Sequence, residues 1–181
     1  SSLRLSDADA LAGRLRFGQA NAGMGGASGI TVDGRITARD GDVVLIAPNI
    51  GVGTNALVQA PNGHTVLAAG QQVEITGRGL DGITMTVQAP SDAALNLGRL
   101  QGDAVAIFAG TLRHSGEIQA TSVQMEGGKV VLRAVGAATV DGRIQARGTG
   151  GQGGKVAITG HDVDLGVGAR IDADASGNAD G

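Results

Sequence analysis

Gly148, Gly150 and Gly153 of "GTGGQG" (148–153) have the G-x-G-x-x-G spacing, which cradles a pyrophosphate when a strand leads in and a helix leads out. Here "GKVAITG" follows and alternates as a strand. The glycines therefore read as an enlarged turn. Five acids gather later, Asp162, Asp164, Asp172, Asp174 and Asp180, and calcium takes about six to eight oxygens. The Gly-Gly-x-Gly-x-Asp repeat of calcium β-rolls is not met, because "GGQGGKVAI" sets Lys155 where an acid is needed. Solvated strand faces and turns are the expectation. His64, His114 and His161 fall at scattered phases of the chain, without Cys and without His-x-x-x-His spacing for zinc. Each is expected on a turn or an outer face. Asp81, Asp92 and Asp103 are the mid-chain acids, but glycoside hydrolysis needs two carboxylates at a set separation and nothing marks a pair. No catalytic, cofactor-binding or metal-ligating residue is assigned, and the chain reads as no enzyme. A binding residue cannot be named.

The elements that would position such residues are constrained by composition. Hydrophobic residues make up 41% of the 181, yet there are only two Phe and no Trp or Tyr. The core must be narrow and built from Val, Ile, Leu and Ala, and there is no aromatic platform for a sugar ring. With 33 Gly against 3 Pro, the chain implies many tight turns rather than a Pro-rich linker. Fourteen basic and 17 acidic residues give a net charge of −3 with no Lys/Arg block, so nucleic acid is excluded as a partner. No segment reaches the roughly 18 apolar residues of a membrane span, and "SSLRLSDADA" lacks the pattern of an export signal.

One phrase is written twice, "TVDGRITAR" at 31–39 and "TVDGRIQAR" at 139–147. It belongs to a looser repeat: an Ile or Val, Ala two residues on, a Gly-containing bend, then an alternating apolar strand. Copies begin at Ile36, Val58, Val87, Ile118, Ile144 and Ile171. Their spacings of 22, 29, 31, 26 and 27 lie in the range of solenoids. Period-two alternation means strands with one buried face. The single helical candidate is "LSDADALAGRLRFG", where Ser6 could cap and Leu11 and Leu15 would share a face.

Two β architectures compete. Asp33-Gly34 between Ile30/Val32 and Ile36/Ala38 is a hairpin signal, and a row of hairpins would make a sandwich or barrel. A compound phrase recurring in fixed order favours a parallel β-helix instead, with equivalent residues stacked about 4.8 Å apart. Ile36, Val58, Ile118 and Ile144 would form one interior ladder, Ala38, Ala60, Ala120 and Ala146 another, and Leu45, Leu67 and Leu132 a third. Asp-Gly and Gly-Gly would be corners with left-handed backbone.

"GDVVLIAPNIGVGTNALVQAPNGHTVLAAGQQVEI" and "LNLGRLQGDAVAIFAGTLRHSGEIQA" together resemble the large exoproteins of the filamentous haemagglutinin type, exported by two-partner secretion in Gram-negative bacteria. The likeness covers residues 25–160. It implies a right-handed parallel β-helix of about six irregular coils, export as an unfolded chain through an outer-membrane transporter barrel, and a place in the medium or on the cell surface. A role in adhesion, biofilm, haem acquisition or toxin delivery would follow, with a host-cell or bacterial receptor or glycan as partner. The resemblance also fits the lack of Cys, because an unfolded chain threads a pore better without cross-links. The family's Asn-Pro-Asn motifs have only approximate matches, Ala47-Pro48-Asn49 and Ala60-Pro61-Asn62-Gly63. The chain is accordingly read as one β-helical segment, 1–181, at or just after the end of the secretion domain. Residues 1–28 are an N-terminal cap or degenerate coil, and the start of the protein is expected upstream. A ligand-binding module using longer loops at 76–103 or 147–155, and the stalk of a contact-dependent toxin, are the alternatives. Open strand edges at both ends imply end-to-end self-association.

Overall fold

The computed structural model describes residues 1, 3–18, 29–76, 83–86, 93–122, 128–149 and 153–175. The chain opens with β1 (Arg4–Leu5), α1 (Asp7–Leu11) and β2 (Leu15–Gly18) and then begins to wind. Coil 1 holds β3 (Ile30–Val32), β4 (Arg35–Thr37) and β5 (Val43–Ala47), and coil 2 holds β6 (Asn49–Val52) and the long β7 (Leu57–Ala69). An excursion through β8 (Gln72–Ile75) and β9 (Ile83–Thr86) follows. Coil 3 holds β10 (Ala93–Asn96) and the long β11 (Arg99–Ala109), and coil 4 holds β12 (Thr111–His114), β13 (Glu117–Ser122) and β14 (Lys129–Ala134). Coil 5 comprises β15 (Ala137–Val140), β16 (Arg143–Gly148) and β17 (Lys155–Thr159), and coil 6 comprises β18 (Asp162–Leu165) and β19 (Arg170–Ala175).

Every pairing between coils is parallel, so the expected parallel β-helix is the fold and its coils make three faces. Face A stacks β3, β6, β10, β12, β15 and β18. Face B stacks β4, the first half of β7, the first half of β11, β13, β16 and β19. Face C stacks β5, the second halves of β7 and β11, β14 and β17. Strands β7 and β11 bend from face B to face C without ending, and a register shift between Gly102 and Ala104 marks the turn.

The interior is made of in-register ladders. Ile36, Val58, Leu100, Ile118, Ile144 and Ile171 align on face B, and Leu45, Leu67, Ile107, Leu132 and Ile158 align on face C. From Val58 to Ile144 and from Leu67 to Leu132 these side chains are fully buried, while Ile36, Leu45 and Ile158 are half-buried. Burying each such side chain contributes about 1.5–3 kcal/mol. The small-residue ladder is Ala60, Gly102, Ala120, Ala146 and Ala173, with Ala38 half-buried beside it and hydrogen-bonded through its N–H to the Gln59 carbonyl. Small side chains are required there because a Cβ on Gly102 would lie 2.8 Å from the Gly63 carbonyl oxygen.

Three expectations are corrected. The third copy of the phrase does not start at Val87, which lies with Ala89 outside the described residues; Leu100 and Gly102 hold those ladder positions. The winding from Val58 to Leu100 takes 42 residues because the β8–β9 excursion is inserted there. Asp33-Gly34 is the corner that the β-helical reading makes it and not the hairpin of the competing one, since β3 and β4 each pair in parallel with coil 2. That corner is not left-handed, however: among the described residues the positive-φ glycines are Gly13 and Gly41, and Gly41 sits in the Asp40-Gly41 corner between β4 and β5, where the expectation holds. Other corner glycines answer to close approach, because a Cβ on Gly116 would strike the Gly98 carbonyl and one on Gly142 the Gly116 carbonyl. Finally, Ser6 caps α1 by accepting from the Asp9 N–H at 3.1 Å, but the helix ends at Leu11, which is exposed, and Leu15 belongs to β2.

The N-terminal strands leave the winding. They form an antiparallel sheet in the order β1-β2-β8-β9, whose Leu3, Phe17, Val73 and Ile75 pack on the outer side of face C. There Val44, Val66, Ala106 and Val131 form an outward apolar ladder beside Ile46, Ala68 and Phe108. Face C is consequently buried on both sides in coils 2 and 3, and the exposed Arg133 of coil 4, next in register after Phe108, lies over its ring at 5.7 Å.

Candidate functional site

The residues with chemistry in their side chains do not converge. Asp162 and Asp164 lie on β18 and Asp172 and Asp174 on β19, exposed apart from the half-buried Asp172, and Asp180 lies outside the described residues. No group of three metal-ligating side chains occurs among the described residues. Of the glycine motif, Gly148 ends β16 and Gly153 precedes β17, a strand where nucleotide binding would need a helix; Gly150 lies outside the described residues. Asp81 and Asp92 also lie outside them. Asp103 is half-buried at the β11 bend, where burial raises its carboxyl pKa and the nearby His64 opposes the shift. The loop expected at 76–103 contains two core strands from Ala93 onward.

Two of the histidines match their expectation. His161 is an exposed bend, and His64 is half-buried at the outer start of face C. Its Nδ1 lies 2.9 Å from Asp42 Oδ1, which also accepts the His64 N–H at 2.8 Å. This is a carboxylate–imidazole pair without a nucleophile, since no hydroxyl is hydrogen-bonded to the ring among the described residues.

His114 overturns its expectation. It belongs to the interior ladder of face A, Val32, Val52, Asn96, His114, Val140 and Leu165, and is fully buried with Asn96. Two polar side chains thus replace valine in consecutive coils. Asn96 Nδ2 donates to His114 Nδ1 at 3.1 Å, Gly98 N–H donates to Asn96 Oδ1 at 3.1 Å, and His114 Nε2 donates to the Arg143 carbonyl at 3.2 Å. The Gly98 contact fixes the orientation of the Asn96 amide, and the amide then fixes the tautomer of the ring. Burial pushes the imidazole pKa below its ordinary value, partly offset by the Arg143 carbonyl. A signal for this pair was present in the sequence: "LNLG" and "TLRH" each put a polar residue where the phase demands an apolar one.

The outer side of face B carries columns. Arg35, Leu57, Arg99, Glu117, Arg143 and Arg170 align, and beside them Thr37, Gln59, Gln101, Gln119, Gln145 and Asp172. Gln101 Nε2 donates to Gln119 Oε1 at 3.0 Å, and Arg99 Nε lies 3.3 Å from Glu117 Oε2. A groove of about 400 Å³ runs along the corner between faces A and B, lined by Arg35, Asn55, Leu57, Leu97, Arg99 and Glu117. The two surviving motif asparagines join coils: Asn49 Oδ1 accepts the Ala93 N–H, and Asn62 Nδ2 donates to the Arg39 carbonyl and to Asp40, each at 3.3 Å.

The fold is a three-faced parallel β-helix with one face sheathed by an antiparallel sheet. Among solved structures, the secretion domain of HMW1 from Haemophilus influenzae shares this fold with a TM-score of 0.84, at 31% identity over 96% of this chain. The chain spans 47% of that one, about half its length. The resemblance to filamentous haemagglutinin-type exoproteins, read from residues 25–160, therefore holds in three dimensions. No protein-family profile matches the chain, and no curated protein does.

Proposed function

We propose that this chain is a β-helical region of an exoprotein exported by two-partner secretion, which crosses the outer membrane unfolded through a dedicated transporter barrel and folds outside the cell. The observation that supports it most is the match to a secretion domain over 96% of the chain. The absence of cysteines suits such a route. The chain acts as a single unit within a longer surface-attached or secreted adhesin, its coils forming a rigid rod that spaces the receptor-binding parts.

The experiment is export in a Gram-negative host carrying or lacking a two-partner transporter, with a signal peptide added in front of residue 1. Transporter-dependent appearance of the folded chain in the medium is expected. Equal amounts in the medium with and without the transporter would overturn the reading.

A further inference from the structure

We propose that the Asn96–His114 pair is a proton-sensitive latch at the centre of the β-helix, which makes folding of coils 3 to 5 stronger in neutral than in acidic surroundings. The geometry carries it. Valines at Val52 and Val140, directly above and below the pair in the same ladder, show that the position accepts an aliphatic side chain. Asn96 and His114 instead form a chain of directed hydrogen bonds running from the Gly98 N–H of coil 3 through both side chains to the Arg143 carbonyl of coil 5.

Every link fixes the next. The Asn96 amide donates, so Nδ1 must accept and the ring must be neutral with its proton on Nε2. A proton added at Nδ1 would set donor against donor and leave a cation in the apolar interior, where an unpaired charge is strongly disfavoured. Among the described residues no counter-ion is at hand. The inward neighbours in the adjoining strands are apolar, among them Leu100, Ile107, Leu112, Ile118, Leu132 and Ile144, while Arg99, Glu117 and Arg143 of the flanking strands belong to the solvent-facing column. The lowered pKa of His114 arises from burial, with no charged side chain contributing.

The sign follows. Because the folded state holds this imidazole neutral, the unfolded chain takes up the proton first as pH falls through its ordinary value near 6.5. Folding is unaffected above that value. Below it the folding constant falls by up to about tenfold per pH unit until the folded ring itself protonates. A chain emerging into neutral medium would thus lock readily, and one in an acidic compartment would stay looser. Only this use rests on the secretion reading; the latch itself does not.

The test is urea unfolding of the full chain at pH 7.5, 6.5 and 5.5, for the wild type, for N96V/H114V, and for H64Q as a control on the exposed Asp42–His64 pair. The wild-type folding constant is expected to drop about tenfold between pH 7.5 and 5.5, most of it below pH 6.5. The N96V/H114V variant, with a continuous aliphatic ladder, is expected to lose that component, whereas H64Q keeps it. Equal pH dependence in N96V/H114V and wild type would overturn the latch. If that variant fails to fold, ring-nitrogen NMR of the wild type decides: a His114 that stays neutral to pH 5.5 supports the latch, and one titrating near 6.5 refutes it. Neither readout involves export, so failure of the latch and failure of the secretion proposal are distinguishable.

Discussion

Strands β7 and β11 each run through two faces of the β-helix, and the halves differ. In the first halves, Leu57–Ala60 and Arg99–Gly102, buried residues alternate with partly exposed ones, and the outward residues include Gln59 and Gln101. In the second halves, "TVLAA" and "AVAIFA" are buried throughout. The backbone is the same parallel ladder in both. What differs is the cover: face B meets water, and face C lies beneath the β1-β2-β8-β9 sheet. An uninterrupted apolar run thus marks a strand sandwiched between two layers.

The contrast can be broken most severely from inside. Replacing Leu132 by Asp would place an unpaired charge in the fully buried ladder beneath face C and cost several kcal/mol; circular dichroism should show an unfolded chain at room temperature. The outer layer should give less. Phe108→Ala removes a ring that is 3% exposed and should cost about 3 kcal/mol through the cavity left under the sheet. The matching change on the solvent side, Gln119→Ala, should stay within about 0.5 kcal/mol in the same melts. Equal losses for these two would mean that the sheet does not cover face C.

Corner glycines sharpen the point on a smaller scale. Gly116→Ala would drive a methyl group into the Gly98 carbonyl and should cost about 1–3 kcal/mol, whereas Gly34, with nothing within 4 Å of its Cβ position, should accept Ala at little or no cost. The smallest expected effect is that of calcium. Millimolar Ca²⁺ should leave the melting temperature of the chain unmoved, and a marked rise would reveal a site that binds only the folded state.

Much of the winding was legible because it is local. Ile36, Ala60, Leu67, Ile118, Leu132 and Ile144 sit in the ladders their phrases assigned, since period two along a strand and one-in-one stacking between coils leave few registers. Errors arose where sequence similarity and position parted. "TVQAP" at 86–90 imitates the phrase, with Val87 and Ala89 outside the described residues, while "RLQG" holds the real rung with Leu100 and Gly102 in place of the usual pair. His114 was misplaced for a related reason, because a buried imidazole reads as a surface residue unless its partner is known, and that partner is 18 positions away. The sheathing sheet had no local signal. Its defining pairs, Leu15 with Ile75 and Phe17 with Val73, join distant segments, and neither segment carries the recurring phrase.

That same pairing has a mechanical meaning. A solenoid pulled by its ends ordinarily surrenders one rung at a time, starting from the loaded terminus. Here β2 is bonded to β8, Arg16 Nε meeting Glu74 Oε1 at 2.9 Å, and coils 1 and 2 lie in the chain between those two strands. Tension applied at Ser1 is shunted across the β2–β8 seam into coil 3 and bypasses the first two coils, which stay slack until the seam tears. The N-terminal end of the rod is thereby its strain relief, and its opening would be registered in a force trace as one early break followed by the release of the slack in coils 1 and 2.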